Sequence, residues 1–276
     1  MQLSLSKKLI NSLQWKARQL IRYREVNFSL FATLLSLREI FSNEIRSRNK
    51  DYYREKLKKY YLDAYNIKIP VELDPIHLEE VLVDKVYSKF TEFRANPGEV
   101  IIDIGAQYGD FAILCAKVWK AEKVYAFEPL KENYEMALKF FKLNEASNIE
   151  LKNLAIASEN GFAEVEKGET MLRLLQYQES GEIQVCTIDS MLLDSVDLIK
   201  IDSEGSELGV LKGAVNTISK FRPRLIIEIH SRLLKRSVLS FLDEKGYRLL
   251  FADKPKFRPS MELDMTQNLF LAPTER

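Results

Sequence analysis

From Val100 onward the chain alternates short apolar runs with amphipathic stretches, and this alternation restricts the fold more than any other feature. Val100-Ile-Ile-Asp-Ile104 is apolar at both parities, as a strand covered on both faces would be; a half-exposed strand would alternate. A helical pattern over Phe111–Trp119 follows, then a strand over Lys123–Phe127 and a helix over Glu132–Leu143. Strands are expected at Ile149–Ala155, Val196–Ile201, Arg224–Ile229, Tyr247–Phe251 and Gln267–Leu271, with helices at Leu208–Ile218 and Leu233–Glu244. Strand and helix in turn build an α/β domain, a mostly parallel seven-stranded sheet with helices on both faces. Phe162–Val185 reads as a hairpin-rich insertion.

The residues before this pattern are of another kind. Leu9, Leu13, Leu20 and Ile21 share one helical face, Phe31, Leu34, Leu35 and Ile40 a second, and Asp51–Tyr65 forms a Lys- and Tyr-rich third helix. The expected division is an N-terminal helical accessory region over 1–95 and the α/β domain over 96–276, with Asn96-Pro97-Gly98 as a turn at the junction.

Charge follows the same division. Through Pro70 there are 15 Lys and Arg against 6 Asp and Glu, and the remainder carries 26 against 34, so the net +1 of the chain hides a basic front and an acidic domain. An acidic α/β domain argues against nucleic acid as a partner. The basic front suits a solvated helix face or peripheral contact with an anionic membrane or surface. Lys7, Lys8, Lys16 and Arg18 interrupt any secretory signal, and the longest apolar run, Phe28–Leu37, is too short to span a bilayer; a cytoplasmic location is expected. Cys115 and Cys186 lie in apolar segments without metal-ligand spacing and read as core residues.

The chemistry is carried at the ends of the expected strands. Asp103-Ile-Gly105-Ala-Gln107-Tyr-Gly109 turns from the first strand into a helix, and Gly105 and Gly109 let backbone approach a ligand closely. A dinucleotide turn would carry a middle glycine, and Asp103 would repel a pyrophosphate. A cationic ligand suits it better. Glu128 ends the second strand, where a carboxylate accepts the hydroxyls of a ribose. Asp202, Ser203 and Glu204 end the fourth strand, and Glu228 and His230 lie on one face of the fifth. His230, Asp202 and Glu204 are the candidates to handle an acceptor proton. Asp202, Glu204, Glu228 and His230 form a donor set that suits magnesium or manganese, but carboxylates gather at strand ends without metal too, and no metal ligand is assigned from the sequence.

These residues resemble the FkbM family of methyltransferases. The resemblance runs through Asp103-Ile-Gly-Ala-Gln-Tyr-Gly-Asp-Phe111, Ala126-Phe-Glu-Pro129, Asn153-Leu-Ala155, Thr187-Ile-Asp189, Val196-Asp-Leu-Ile-Lys-Ile-Asp-Ser-Glu-Gly205 and Glu228-Ile-His230. It implies the Rossmann-like class I methyltransferase fold, S-adenosyl-L-methionine as cofactor, and O-methylation of a small-molecule or glycan acceptor. It further implies that Asp103, Gly105, Gln107 and Gly109 cradle the methionine end with Asp202 nearby, that Glu128 holds the ribose, and that Asn153 and Ala155 lie beside the adenine. The family usually has Asn where this chain has Gln107. Two other functions stay open: a non-catalytic module that binds the cofactor as a scaffold, and a nucleotide-dependent oxidoreductase.

Overall fold

The computed structural model describes residues 45–164, 183–253, 256–257 and 264–274. The two helices expected between Leu3 and Ile40, and the interior of the insertion at 165–182, lie outside the described residues. Contacts divide the chain into two compact units, Met1–Glu79 and Glu80–Arg276.

In the smaller unit, α1 (Ile45–Tyr65) is followed by an extended stretch and a 3₁₀ turn over Pro75–Leu78. Proline pre-sets the turn and Asp74 caps it, its side chain accepting from the Ile76 amide. The same Asp74 pairs with Arg54 at 2.5 Å, and Tyr61 Oη donates to the Pro75 carbonyl at 3.0 Å, so two bonds pin the turn to α1. No helix among the described residues is long and apolar enough to cross a membrane.

The larger unit is the sheet. In chain order it holds β1 (Val100–Ile104), α2 (Asp110–Ile113, continued by a π-helical turn to Val118), β2 (Lys123–Phe127), α3 (Lys131–Leu143) and β3 (Ile149–Lys152). Next come β4 (Ala155–Ile156), β5 (Gly161–Ala163), β6 (Ile183–Cys186), β7 (Leu198–Ile201), α4 (Glu207–Lys212), α5 (Val215–Phe221) and β8 (Arg224–Ser231). The last are α6 (Arg232–Glu244), β9 (Tyr247–Ala252), the two-residue β10 (Lys256–Phe257) and β11 (Asp264–Pro273).

The main sheet runs β11-β8-β7-β1-β2-β3, with β9 and the short β10 on the outer edge of β11. β8, β7, β1, β2 and β3 are parallel, and β11 is antiparallel to both β8 and β9. Apart from β10, these are the seven strands that the apolar runs mark. Parallel neighbours require crossovers, which the helices supply, and helices on both faces bury the centre of the sheet: all four residues of β7 are buried, whereas the edge strand β9 is largely exposed. Each fully buried Ile or Leu of these strands is worth about 1.5–3 kcal/mol of transfer free energy, so the centre of the sheet anchors the unit.

The structure departs locally from the expected elements in three places. The single helix expected at Leu208–Ile218 is two, parted at Gly213 and Ala214, and at Gly213 the chain passes so close to the Ala157 carbonyl that a Cβ would collide with it. The strand expected over Ile149–Ala155 stops at Lys152; Ala155–Ile156 leaves the main sheet and pairs with β6, which also pairs with β5, in a small second sheet. Residues 80–95, read from sequence with the N-terminal region, pack within the larger unit. Phe90 stacks on Phe251 at 3.9 Å and Phe93 meets Phe270 edge-on at 5.3 Å, contacts worth about 0.5–1.5 kcal/mol each beyond burial.

Candidate active site

Register decides which strand ends meet. Asp103 of β1 lies beside Lys200 of β7, and Ile104 beside both Ile201 and Phe127, so the carboxyl ends of β1, β2 and β7 open on one edge. Past Ile104 the chain turns sharply, and the amides of Gly105 and Ala106 both donate to the Phe127 carbonyl at 3.0 Å. Gly105 and Gly109 have φ of 73° and 86°. A Cβ on the first would collide with the Asp202 carbonyl, and one on the second with the Phe141 ring. Packing within the protein thus already demands glycine at both positions. Gln107 is exposed and also left-handed, with φ of 50°. Asn enters that region more readily than Gln, so Gln107 holds it at some conformational cost.

Asp103 is fully buried, its Oδ1 3.2 Å from Lys200 Nζ. Lys200 also donates to the Gly105 carbonyl at 2.8 Å, which ties the turn to β7. Burial raises the Asp103 pKa against the opposing pull of Lys200; the lysine, flanked by Asp103, Asp202 and Asp110, is raised despite its own burial. This pair therefore sits beneath the turn rather than at its open side.

Glu128 is buried just beyond β2. Its Oε2 accepts from the Gln107 amide at 2.8 Å and its Oε1 from the Leu130 amide at 2.9 Å, while burial raises its pKa. Asn153 uses its side-chain amide to bind the carbonyls of Glu128 and Pro129 at 2.9 and 3.0 Å. Ala155 is buried in β4, two residues further on. Asn153 therefore fixes the backbone on which Glu128 stands.

Across the β1 turn, the ends of β7 and β8 gather charge around His230, which is 7% exposed. Its Nδ1 lies 3.2 Å from Oε1 of Glu207, a fully buried residue of α4. The same oxygen accepts from the amides of Ser203 and Gly205, so one carboxylate orders both the ring and the loop after β7. Nε2 faces Glu204 Oε2 at 3.2 Å, Asp202 Oδ1 at 3.7 Å and Glu228 Oε1 at 3.9 Å. Glu204 holds φ of 50°, a conformation that costs a non-glycine residue free energy and presents its carboxylate to the ring. Tyr87 Oη donates to the other oxygen of Glu228 at 3.3 Å. Burial alone would lower the His230 pKa, but the bond to Glu207 and the charges of Glu204 and Asp202 outweigh it and push it up to about 9. Burial, then the neighbouring Asp202, push Glu228 up to about 8.

The structure thus brings together Asp202, Glu204 and His230 on one side of the turn, and Gln107 with Glu128 on the other. Asp103, Gly105 and Asn153 act mainly on their protein neighbours. Two residues of the site carried no signal in the sequence. Glu207 reads as an ordinary acid at a helix start, and Tyr87 lies 141 positions before the carboxylate it binds.

Residues 103–249 match the Methyltransferase FkbM domain. The chain belongs to the FkbM methyltransferase family. Among relatives of this FkbM protein, the hexuronic acid methyltransferase AglP of Haloferax volcanii is 27% identical over 167 residues, which cover 55% of the chain and 64% of the relative. Methyltransferase 1 of Beauveria bassiana is 20% identical over 220 residues, covering 68% of the chain and 86% of the relative. The chain therefore spans just under two thirds of the archaeal protein's length. Methyltransferase FkbM from Methylobacillus flagellatus is a similar solved structure at 22% identity and a TM-score of 0.46, over 67% of this chain and 47% of that one.

Proposed function

We propose that this FkbM protein transfers the methyl group of S-adenosylmethionine to a hydroxyl of a carbohydrate, glycan or related metabolite. One observation carries the reading: a carboxylate suited to a nucleoside (Glu128) and an acid–imidazole group (Asp202, Glu204, His230) flank a single tight turn at the carboxyl edge of a parallel sheet, where such folds bind ligands.

The residues fit a cationic nucleoside. Asp202, Glu204, Glu207 and Glu228 gather around the single imidazole of His230, so this side of the turn favours added positive charge. Glu128 receives three donors, Gln107, Leu130 and Asn133, and a carboxylate has room for about four. Ser203 Oγ is buried without a hydrogen-bond partner. On this reading Gln107, Gly109 and the Gly105 turn hold the methionine end, Glu128 the ribose, and Ala155 a wall of the adenine site.

The cofactor supplies a methyl carbon already activated by its sulfonium. The protein has then to orient the acceptor and receive its proton, and alignment is the larger part of such catalysis. As the C–O bond forms and the C–S bond breaks, the hydroxyl proton passes to a carboxylate of Asp202 or Glu204, while His230, pushed up to about 9, stays protonated at neutral pH and orients those carboxylates. The hexuronic acid named for the Haloferax relative supports a sugar acceptor.

Calorimetry with S-adenosylmethionine and with NADH, on the full chain and on Glu128→Ala, tests the cofactor. Binding of the methyl donor alone, weakened at least about tenfold by the substitution, supports the reading and justifies assaying sugar acceptors. Binding of NADH alone would return the oxidoreductase alternative. Donor binding without transfer to any sugar, with Glu204→Gln inert as well, would favour the scaffold.

A further inference from the structure

We infer that Asp202, Glu228 and His230 form a binding site for one divalent cation of the magnesium or manganese class, at the acceptor side of the methyl-transfer site. The inference deepens the function proposed above and rests on it for its catalytic meaning, but not for the binding itself.

One ligand atom from each of the three residues lies within 4.8 Å of the other two. The spacing matters. His230 Nε2 stands 3.7 Å from Asp202 Oδ1 and 3.9 Å from Glu228 Oε1, too far for hydrogen bonds. Two ligands of one ion at about 2.1 Å stand about 3.0 Å apart at a right angle and about 4.2 Å apart when opposed, so an octahedral ion here would have to draw each pair by less than about 1 Å to reach either separation. Asp202 Oδ1 is buried and has no hydrogen-bond partner. A proton on Nε2 could serve one carboxylate at a time, and Glu204 at 3.2 Å is the nearest. It would leave the Asp202 oxygen unserved.

Each ligand is also oriented from behind, as the ligands of metal sites characteristically are. Buried Glu207 holds Nδ1 of His230 and so turns Nε2 toward the carboxylates. Tyr87 holds Oε2 of Glu228 and leaves Oε1 facing the ring. Lys200 stands 3.8 Å from Oδ2 of Asp202, opposite the oxygen that faces His230. The three supports come from three separate elements: α4, the segment before β1, and β7. Two oxygens and one imidazole nitrogen leave about three positions of an octahedral ion for water or for vicinal hydroxyls of a sugar. A cation there would lower the pKa of a hydroxyl it holds, and Glu204 would be left to take the proton.

The test is calorimetric titration of the full-length protein with MnCl2 after chelation and dialysis, repeated on His230→Ala and on the near-isosteric Glu228→Gln. S-adenosylmethionine is titrated in parallel, and circular dichroism checks folding of both variants. One Mn2+ per chain is expected, with affinity reduced at least about tenfold in each folded variant and affinity for S-adenosylmethionine changed by less than about threefold. Should His230→Ala fail to fold, Glu228→Gln alone decides. Absence of saturable Mn2+ uptake, with S-adenosylmethionine still bound, overturns the site and leaves the methyl-transfer reading standing; His230 is then an imidazolium caged by acids. Mn2+ binding that both variants retain places the ion elsewhere and overturns it equally. Mn2+ binding lost in the variants, in a protein that never binds S-adenosylmethionine, supports the cation site and removes the cofactor reading.

Discussion

The two sides of the β1 turn are built differently. On the β2 side the carboxylate of Glu128 is held by backbone amides, and Asn153 clamps the backbone that carries it. On the β7–β8 side the charged side chains contact one another around His230, and Asp202 Oδ1, Ser203 Oγ and Glu207 Oε2 are buried without hydrogen-bond partners. An amide lattice is set once the sheet forms. A cluster of acids around one imidazole carries surplus charge and unserved oxygens, so it reaches its best state only with something cationic or hydrogen-bonding in it. One side is largely bonded within the protein; the other keeps unserved buried oxygens.

The largest effect is expected where both sides share a foundation. Lys200→Met leaves Asp103 buried and unpaired and should cost about 3–5 kcal/mol in denaturant unfolding at neutral pH, and Asp103→Asn added to it should restore part of that. If Lys200→Met costs less than about 1 kcal/mol, well short of a broken buried pair, the two sides do not rest on it. Glu128→Ala removes an acceptor from two backbone amides and should cost about 1–3 kcal/mol in addition to cofactor affinity. Stability unchanged by this substitution would mean that the β2 side is less preset than its bonds suggest.

Glu207→Gln sharpens the comparison from the other side. It keeps the shape but weakens the hold on His230, so methyl transfer should fall about tenfold or more while S-adenosylmethionine affinity changes little. An equal loss of both would show that the sides are not separable.

The smallest effect concerns Asp110, at the start of α2, whose pKa burial pushes from an ordinary 3.8 up to about 7. A folded-state value above the unfolded one gives stability that is fully present below about pH 4 and is lost as pH rises through about 7. Asp110→Asn should therefore gain about 1–2 kcal/mol over the parent at pH 8, and the gain should vanish near pH 4. Asp110 keeps some exposure to solvent, which holds the gain below the full linkage value of about 1.4 kcal/mol for each tenfold change in the acid's dissociation constant. A variant equally favoured at both pH values would mean that Asp110 of the parent does not titrate in this range.

Much of the fold was legible because parallel strands announce themselves. Val100–Ile104 and Leu198–Ile201 are apolar at every position but one each, Asp103 and Lys200, and those two exceptions pair with each other. The strand ends carrying Glu128, Asp202 and His230 could be read in the same way, since each directly follows an apolar residue of its strand, with Glu204 two positions past Asp202. Backbone geometry could not. Nothing in the local pattern of Leu208–Ile218 says that Gly213 must lie against the Ala157 carbonyl.

The sequence by itself determined the strands, their parallel order of appearance and the chemical types at their ends, because apolar periodicity and residue identity are local properties. Only the tertiary structure decided that Asp103 pairs with Lys200, that Glu207 holds His230, and that Tyr87 reaches Glu228. Each of those pairings depends on strand register or on a long-range approach, and residues far apart in a chain meet only when the whole sheet fixes their distance.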